Sequence, residues 1–240
     1  MFHNFKYLLK GEMIRLSKYK ILQVSFAVSL LWIAIMFLIG KENIQAFVPI
    51  FIFTDTALMT VLLVGASLFY ERQENTLKTL MITPSAYTAI LLSKIVSSIY
   101  LALQSTVVIA LVALIAFDFS IKLFWLFIFV TIIGLAHSAI GYAFTMFSKD
   151  FNGLLAAIGG YMIVFAIPSL ISILGIFSKT FDNFLMISPT HSALVLINFS
   201  MGVEVALWKV IVGFIYLVVI SFILYKYIVA PRYAEMAVRE

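Results

Sequence analysis

The chain has 240 residues, of which 64% are hydrophobic and 11% charged, a balance that excludes a soluble globular domain of this length. It has no cysteine, which rules out disulfides, thiolate catalysis and cysteine-ligated metals. Its net charge of +5 is gathered at one set of loops, which points to membrane topology rather than to nucleic acid.

Residues 2–20 read as an amphipathic helix lying at the membrane surface. Phe2, Phe5, Leu9, Met13 and Leu16 share one face, and Asn4, Gly11, Arg15 and Lys18 lie opposite. Lys6 and Lys10 flank the apolar stripe, where anionic lipid head groups would meet them. No small-residue cleavage pattern follows the first apolar run, and no lipidation signal is present.

Six apolar runs follow, at 21–39, 46–69, 92–117, 121–147, 153–177 and 205–229. Each is long enough to cross a hydrocarbon core of about 30 Å as a helix rising about 1.5 Å per residue. With the N-terminus inside, the inner segments hold Lys6, Lys10, Arg15, Lys18, Lys20, Arg72, Lys78, Lys94, Lys149, Lys226, Arg232 and Arg239. The outer segments hold only Lys41, Lys122, Lys179 and Lys209. This excess places both ends in the cytoplasm of a multi-pass plasma-membrane protein.

The longest charged interruption separates the second and third runs. It reads Tyr70-Glu71-Arg72-Gln73-Glu74-Asn75-Thr76-Leu77-Lys78-Thr79-Leu80-Met81-Ile82-Thr83-Pro84. Leu77, Leu80 and Met81 make one apolar stripe on a short amphipathic helix that Pro84 ends. The charges of Glu71 and Arg72, at the end of the second run, are expected to stay hydrated or to pair with a partner's side chains.

Glu71-Arg72, then Thr76-Leu77, Leu80 and Pro84, resemble the cytoplasmic motif of ABC-2-type transporter permeases, the membrane subunits of one class of ATP-driven exporter. The family pattern is roughly Glu-Arg-Glu-x-Gly-Thr-Leu, followed by a Leu and a Pro. Here the second acid is displaced to Glu74 and Asn75 stands in place of Gly. Asn accepts a left-handed backbone better than most residues, so the same turn stays open to it. The resemblance extends over the whole chain. It implies an all-α membrane protein of six transmembrane helices with an N-terminal interfacial helix, in an ABC-2, type V exporter-like fold. Residues 1–240 would form one permease domain, 71–88 its coupling segment and 178–204 an outer re-entrant segment.

It also implies a separate ABC ATPase subunit that binds ATP and Mg, and a homodimer or a heterodimer with a second permease. The chain itself lacks a Gly-x-x-x-x-Gly-Lys-Ser/Thr loop and has no nucleotide site or cofactor of its own. Coupling to the ATPase would fall to Glu71, Arg72, Glu74, Thr76, Leu77, Leu80, Met81 and Pro84. The other short cytoplasmic turn, Lys149, Asp150 and Asn152, is a second contact or a plain hydrated turn.

In residues 178–204 two apolar bursts, at 184–187 and 193–197, are split by Ser188-Pro189-Thr190-His191. Pro189 is expected to break the helix, leaving short helices that dip into the outer leaflet with their polar turn covered by protein or facing water.

Asp55, Gln104 and His137 are the candidate polar residues within the runs. Asp55, surrounded by Thr54, Thr56 and Thr60, is either a group on a substrate path or a structural acid satisfied by those threonines or by Gln104. His137 lies in mid-span among Gly134, Ser138 and Gly141, a small-residue face where another helix can approach. It reads as an interhelical hydrogen-bonding residue before a proton carrier. Ala156 and Gly160 offer a second such face.

The leading expectation is an export permease, not an enzyme, for a drug, antimicrobial peptide, lipid or glycan-lipid. The alternative is an ion-coupled carrier with Asp55 and His137 as its proton sites. The missing His-Glu-x-x-His motif argues against an intramembrane metalloprotease.

Overall fold

The computed structural model describes residues 2–76 and 87–239, and among these all regular structure is helical. Six helices are long and apolar enough to cross a membrane: Ile21–Ile39, Ile44–Gln73, Tyr87–Phe117, Leu123–Phe147, Phe151–Ser172 and Leu207–Tyr233. They are the first to sixth spans below. In hydrocarbon every backbone donor needs a partner, and a helix supplies one from within its own segment. The chain is built as a multi-pass membrane protein.

An even number of crossings returns the chain to its starting side. The N-terminal helix Phe2–Lys18 and the C-terminal helix Ala230–Arg239 therefore meet at one end of the bundle, the terminal end. The N-terminal helix does not merely lie on a surface. Leu8, Glu12 and Leu16 turn its inner side toward the third span, with Glu12 and Leu16 buried. Arg15, expected on the outer face, also turns inward, because two carboxylates wait for it there. Lys20 then takes a left-handed conformation, φ 63°, and swings the chain into the first span.

The third span starts five residues before its apolar run and is 31 residues long, about 46 Å at the usual helical rise. That exceeds a ~30 Å hydrocarbon core and carries the helix into the terminal end. The second and fifth spans run on through π-helical turns, Thr54–Met59 and Met162–Ala166, and the sixth through Tyr225–Val229.

The centre of the bundle is the second span packed on the fourth. The most apolar window of the second span is 72% buried, against 22% in the first and in the sixth. The two central helices approach until their backbones touch. A Cβ on Gly141 would stand 2.6 Å from the Val61 carbonyl oxygen, so glycine is required there. One turn on, the Thr145 hydroxyl donates to the Gly65 carbonyl at 2.8 Å. The small face Gly134, Ser138 and Gly141 is shared among three neighbours, not given to one. Gly134 meets Ala102 of the third span, Ser138 pairs with Tyr225 of the sixth at 2.7 Å, and Gly141 meets the second. The other small face, Ala156 and Gly160, lies open on the outside.

At the far end, Lys179–Phe184 and Leu185–Ile187 form short helical turns before a helix over Pro189–Ser200. Pro189 corrects its expected role. It begins this helix at a first-turn position, where a missing N–H costs nothing, and Ser188 caps it. Ala193–Ile197 is buried in the bundle, and the polar turn is covered by protein, with Thr190 and His191 both buried.

Candidate functional site

Four charged side chains converge inside the terminal end. Lys94, in the second turn of the third span, reaches Glu71 Oε1 at 2.6 Å and Oε2 at 2.5 Å, and Glu12 Oε1 at 2.9 Å. Arg15 pairs with Glu12 and brings Nε to 3.8 Å from Glu71. Glu12, Glu71 and Lys94 are each at most 1% exposed. Two acids and two bases balance, which is what lets such a group persist out of water. Burial disfavours ionised Glu12, but Lys94 and then Arg15 hold its carboxyl below the ordinary range.

Hydroxyls and rings close the cluster. Ser97 and Ser98 donate to the Lys94 carbonyl at 2.9 and 2.8 Å, and Ser98 meets the Tyr142 hydroxyl of the fourth span at 3.0 Å. The Tyr233 ring of the C-terminal helix lies 5.9 Å from the Lys94 ammonium. The Tyr87 hydroxyl donates to the Ala230 carbonyl. One lysine thus ties together the N-terminal helix, the second and third spans and the C-terminal helix.

This arrangement corrects the expectation for Glu71. Its charge is neither hydrated nor available to a partner, because Lys94 takes both of its oxygens. Arg72, one residue on, donates from Nη1 to the Ser148 carbonyl at 2.8 Å, just past the fourth span's last turn. A cation there satisfies a carbonyl that the helix leaves free and complements its dipole. Glu74 is exposed and accepts from Lys18 Nζ and the Tyr19 hydroxyl, each at 3.0 Å. Those hydrogen bonds, that of Lys18 first, hold its carboxyl below the ordinary range. Asn75 adopts φ 55°, the left-handed turn expected of it, and Thr76 lies beside the Tyr19 hydroxyl. Leu77, Leu80, Met81 and Pro84 lie outside the described residues.

In the second turn Asp150 caps the fifth span, accepting from the Gly153 N–H at 2.7 Å. Lys149 and Asn152 are exposed beside it. Through Arg72 and Ser148 the two turns adjoin.

The in-span candidates fall elsewhere and do not form one site. Asp55 is 2% exposed and sits in the π-helical turn of the second span. Its Oδ2 accepts from Ser29 of the first span at 3.1 Å, while Oδ1 has no hydrogen-bond partner. Two of the expected threonines are engaged otherwise: Thr54 donates to the Ile50 carbonyl, and Thr56 pairs with Thr106 at 3.0 Å. Gln104 is half-buried and does not bind Asp55. His137 is fully buried, but its Nδ1 meets the carbonyl of Ile133 in its own helix at 2.9 Å, not a neighbouring helix. Its ring stands edge-on to Tyr161, and Nε2 has no hydrogen-bond partner.

Sequence reasoning missed Glu12, Arg15 and Lys94 as site members, although Glu12 and Lys94 carried a signal. Lys94 stands inside an apolar run, and Glu12 is the one acid between Leu8 and Leu16 on a basic helix. Among the described residues no cluster of His, Asp and Glu has the grouping of a metal site. Compared with protein-family models and with curated proteins, the chain finds no match.

Proposed function

We propose that this chain is the membrane subunit of an ABC exporter, moving a hydrophobic or amphipathic substrate out of the cytoplasm. A separate ATPase subunit, docked at the terminal end, hydrolyses ATP, and two permease copies enclose the path. The reading is carried by the arrangement of the Glu71-Arg72 pair. Glu71 is locked through Lys94 to three other helices, and Arg72 grips the end of the fourth span. The chain between the second and third spans leaves directly from this pair. A push on that segment is therefore delivered to a rigid, multi-helix anchor rather than to one frayed helix end. The motif resemblance adds the identity of the pusher.

A carrier using Asp55 is the second reading, favoured by the unpartnered Oδ1 in a π-helical turn, a distortion frequent at functional sites. His137 does not extend it, because no described contact joins the two residues. Reconstitution separates the readings. The chain, purified with its partners from native membranes, is assayed for substrate export into proteoliposomes driven by ATP or by a proton gradient. ATP-driven export that needs a co-purifying ATPase is the expected result. Export driven by the proton gradient alone would replace this reading with the carrier.

A further inference from the structure

Two clefts share a wall at the far end, between the fourth and sixth spans. One, of about 540 Å³, is lined wholly by apolar and aromatic side chains, among them Trp125, Phe129, Phe199, Leu207, Ile211 and Phe214. It follows the sixth span from Leu207 to Ile215, about 12 Å along the helix. Trp125 and Leu207 mark its upper rim, at the first turns of the two spans. The other cleft, of about 590 Å³, is lined by Lys122, Phe199 and residues 202–206, including Glu204. Phe199 belongs to both. The Lys122 ammonium lies 4.2 Å from the centre of that ring, and among the described residues no carboxylate pairs with it. The other cations at this end that stand near acids are paired, Lys41 with Asp118 and Lys209 with Asp182.

An apolar groove at this depth meets acyl chains, but the polar cleft above it narrows the choice. It offers one exposed cation and one exposed carboxylate, Lys122 and Glu204, in the same lining. A head group with only a negative charge would satisfy Lys122 and be repelled by Glu204. One that carries a phosphate and an ammonium complements both. A phosphate next to a lysine and an ammonium next to a carboxylate each form a charge-assisted hydrogen bond. We propose that these clefts hold a zwitterionic phospholipid, one acyl chain in the apolar cleft, its phosphate at Lys122 and its ammonium at Glu204. This site stands apart from the charge cluster and does not depend on the transport reading.

The test uses tryptophan fluorescence. The chain has three tryptophans, so Trp32→Phe with Trp208→Phe leaves Trp125 as the only reporter. Phosphatidylethanolamine, phosphatidylglycerol and diacylglycerol, each with brominated acyl chains, are titrated into maltoside micelles of the full chain. Saturable quenching is expected at the lowest mole fraction for phosphatidylethanolamine, then phosphatidylglycerol, then diacylglycerol. Lys122→Gln should raise the half-saturating fraction of both phospholipids by about fivefold, the scale of one exposed ion pair, and leave diacylglycerol unchanged. Glu204→Gln should bring the two phospholipids together. Both side chains are exposed, so the variants keep the fold. Quenching that follows bulk mole fraction equally for all three lipids would overturn the proposal. So would phosphatidylglycerol binding at least as well as phosphatidylethanolamine, or indifference to Lys122→Gln.

Discussion

The Lys94 ammonium bridges both carboxylate oxygens of Glu71, at 2.6 and 2.5 Å, across 23 residues of sequence. Removing one member of such a pair leaves the other charged in a dry interior, which typically costs about 3–5 kcal/mol. Lys94→Met and Glu71→Leu should each lower the melting temperature in detergent sharply. Glu71→Leu combined with Lys94→Met should recover part of the loss, with Glu12 and Arg15 left as a balanced pair. Additive losses in this double-mutant cycle would mean that the two residues act independently.

The contact between the second and fourth spans admits no side chain at residue 141. Gly141→Ala places a methyl 2.6 Å from the Val61 carbonyl, and overpacking of this kind costs about 1–3 kcal/mol. Gly160→Ala, with no neighbour within 4 Å of the added carbon, should leave stability unchanged. Thermal unfolding of the two variants side by side checks the difference.

Asp55 keeps a carboxylate buried with only two serine hydroxyls, Ser29 and Ser105, beside it, an arrangement that does not favour stability. Asp55→Asn retains the acceptor for Ser29 and removes the charge. We expect it to melt no lower than the wild type and to transport less. Stability exchanged for activity marks a functional residue. Wild-type transport by both Asp55→Asn and Asp55→Leu would remove Asp55 from the path.

His191 is buried, with Asp182 Oδ1 at 3.6 Å from Nε2 and the Ser172 hydroxyl at 3.5 Å from Nδ1. Burial lowers its pKa, Asp182 opposes that, and Lys209 adds to it, with a net depression below the ordinary 6.5. The folded chain therefore binds this proton less readily than the unfolded chain. The stability it contributes is complete above about pH 6.5 and is lost as pH falls through the folded value. Melting temperatures measured from pH 7.5 to 5 should decline, and His191→Gln should flatten the decline. An unchanged slope would show that other groups cause it.

Topology can be read directly, since the chain has no cysteine of its own. Single cysteines at Lys41, Lys122 and Lys179 should react with an impermeant thiol reagent applied to intact cells. Cysteines at Lys78 and Lys149 should react only after the membrane is opened. Labelling at residue 149 from outside would invert the assignment of the terminal end to the cytoplasm.

The spans were legible because lipid asks one thing of a sequence, an unbroken apolar run, and composition states it openly. The role of Lys94 was missed, because a cation two residues into an apolar run reads as an inner-side charge when its partners, 23 and 82 residues away, are unknown. Glu71 was misjudged by the same local logic, which treats a charge at a span's end as solvated. Asn75 went the other way, since a left-handed turn depends on the residue's own backbone, and its φ of 55° follows from chemistry visible in one letter. Side-chain pairings such as Ser29 with Asp55 join two helices, and no periodicity within either helix encodes them.

The unequal burial of the spans governs how the sequence can drift. Leu38 on the first span is 85% exposed, so any side chain compatible with lipid will serve there. Phe53 on the second span is fully enclosed, and its replacement must match a shape as well as a polarity. A library randomised at the exposed positions of the first or sixth span should yield many active variants that share only greasiness. The same library along the second span should return few, and those few would differ by compensating changes on the fourth.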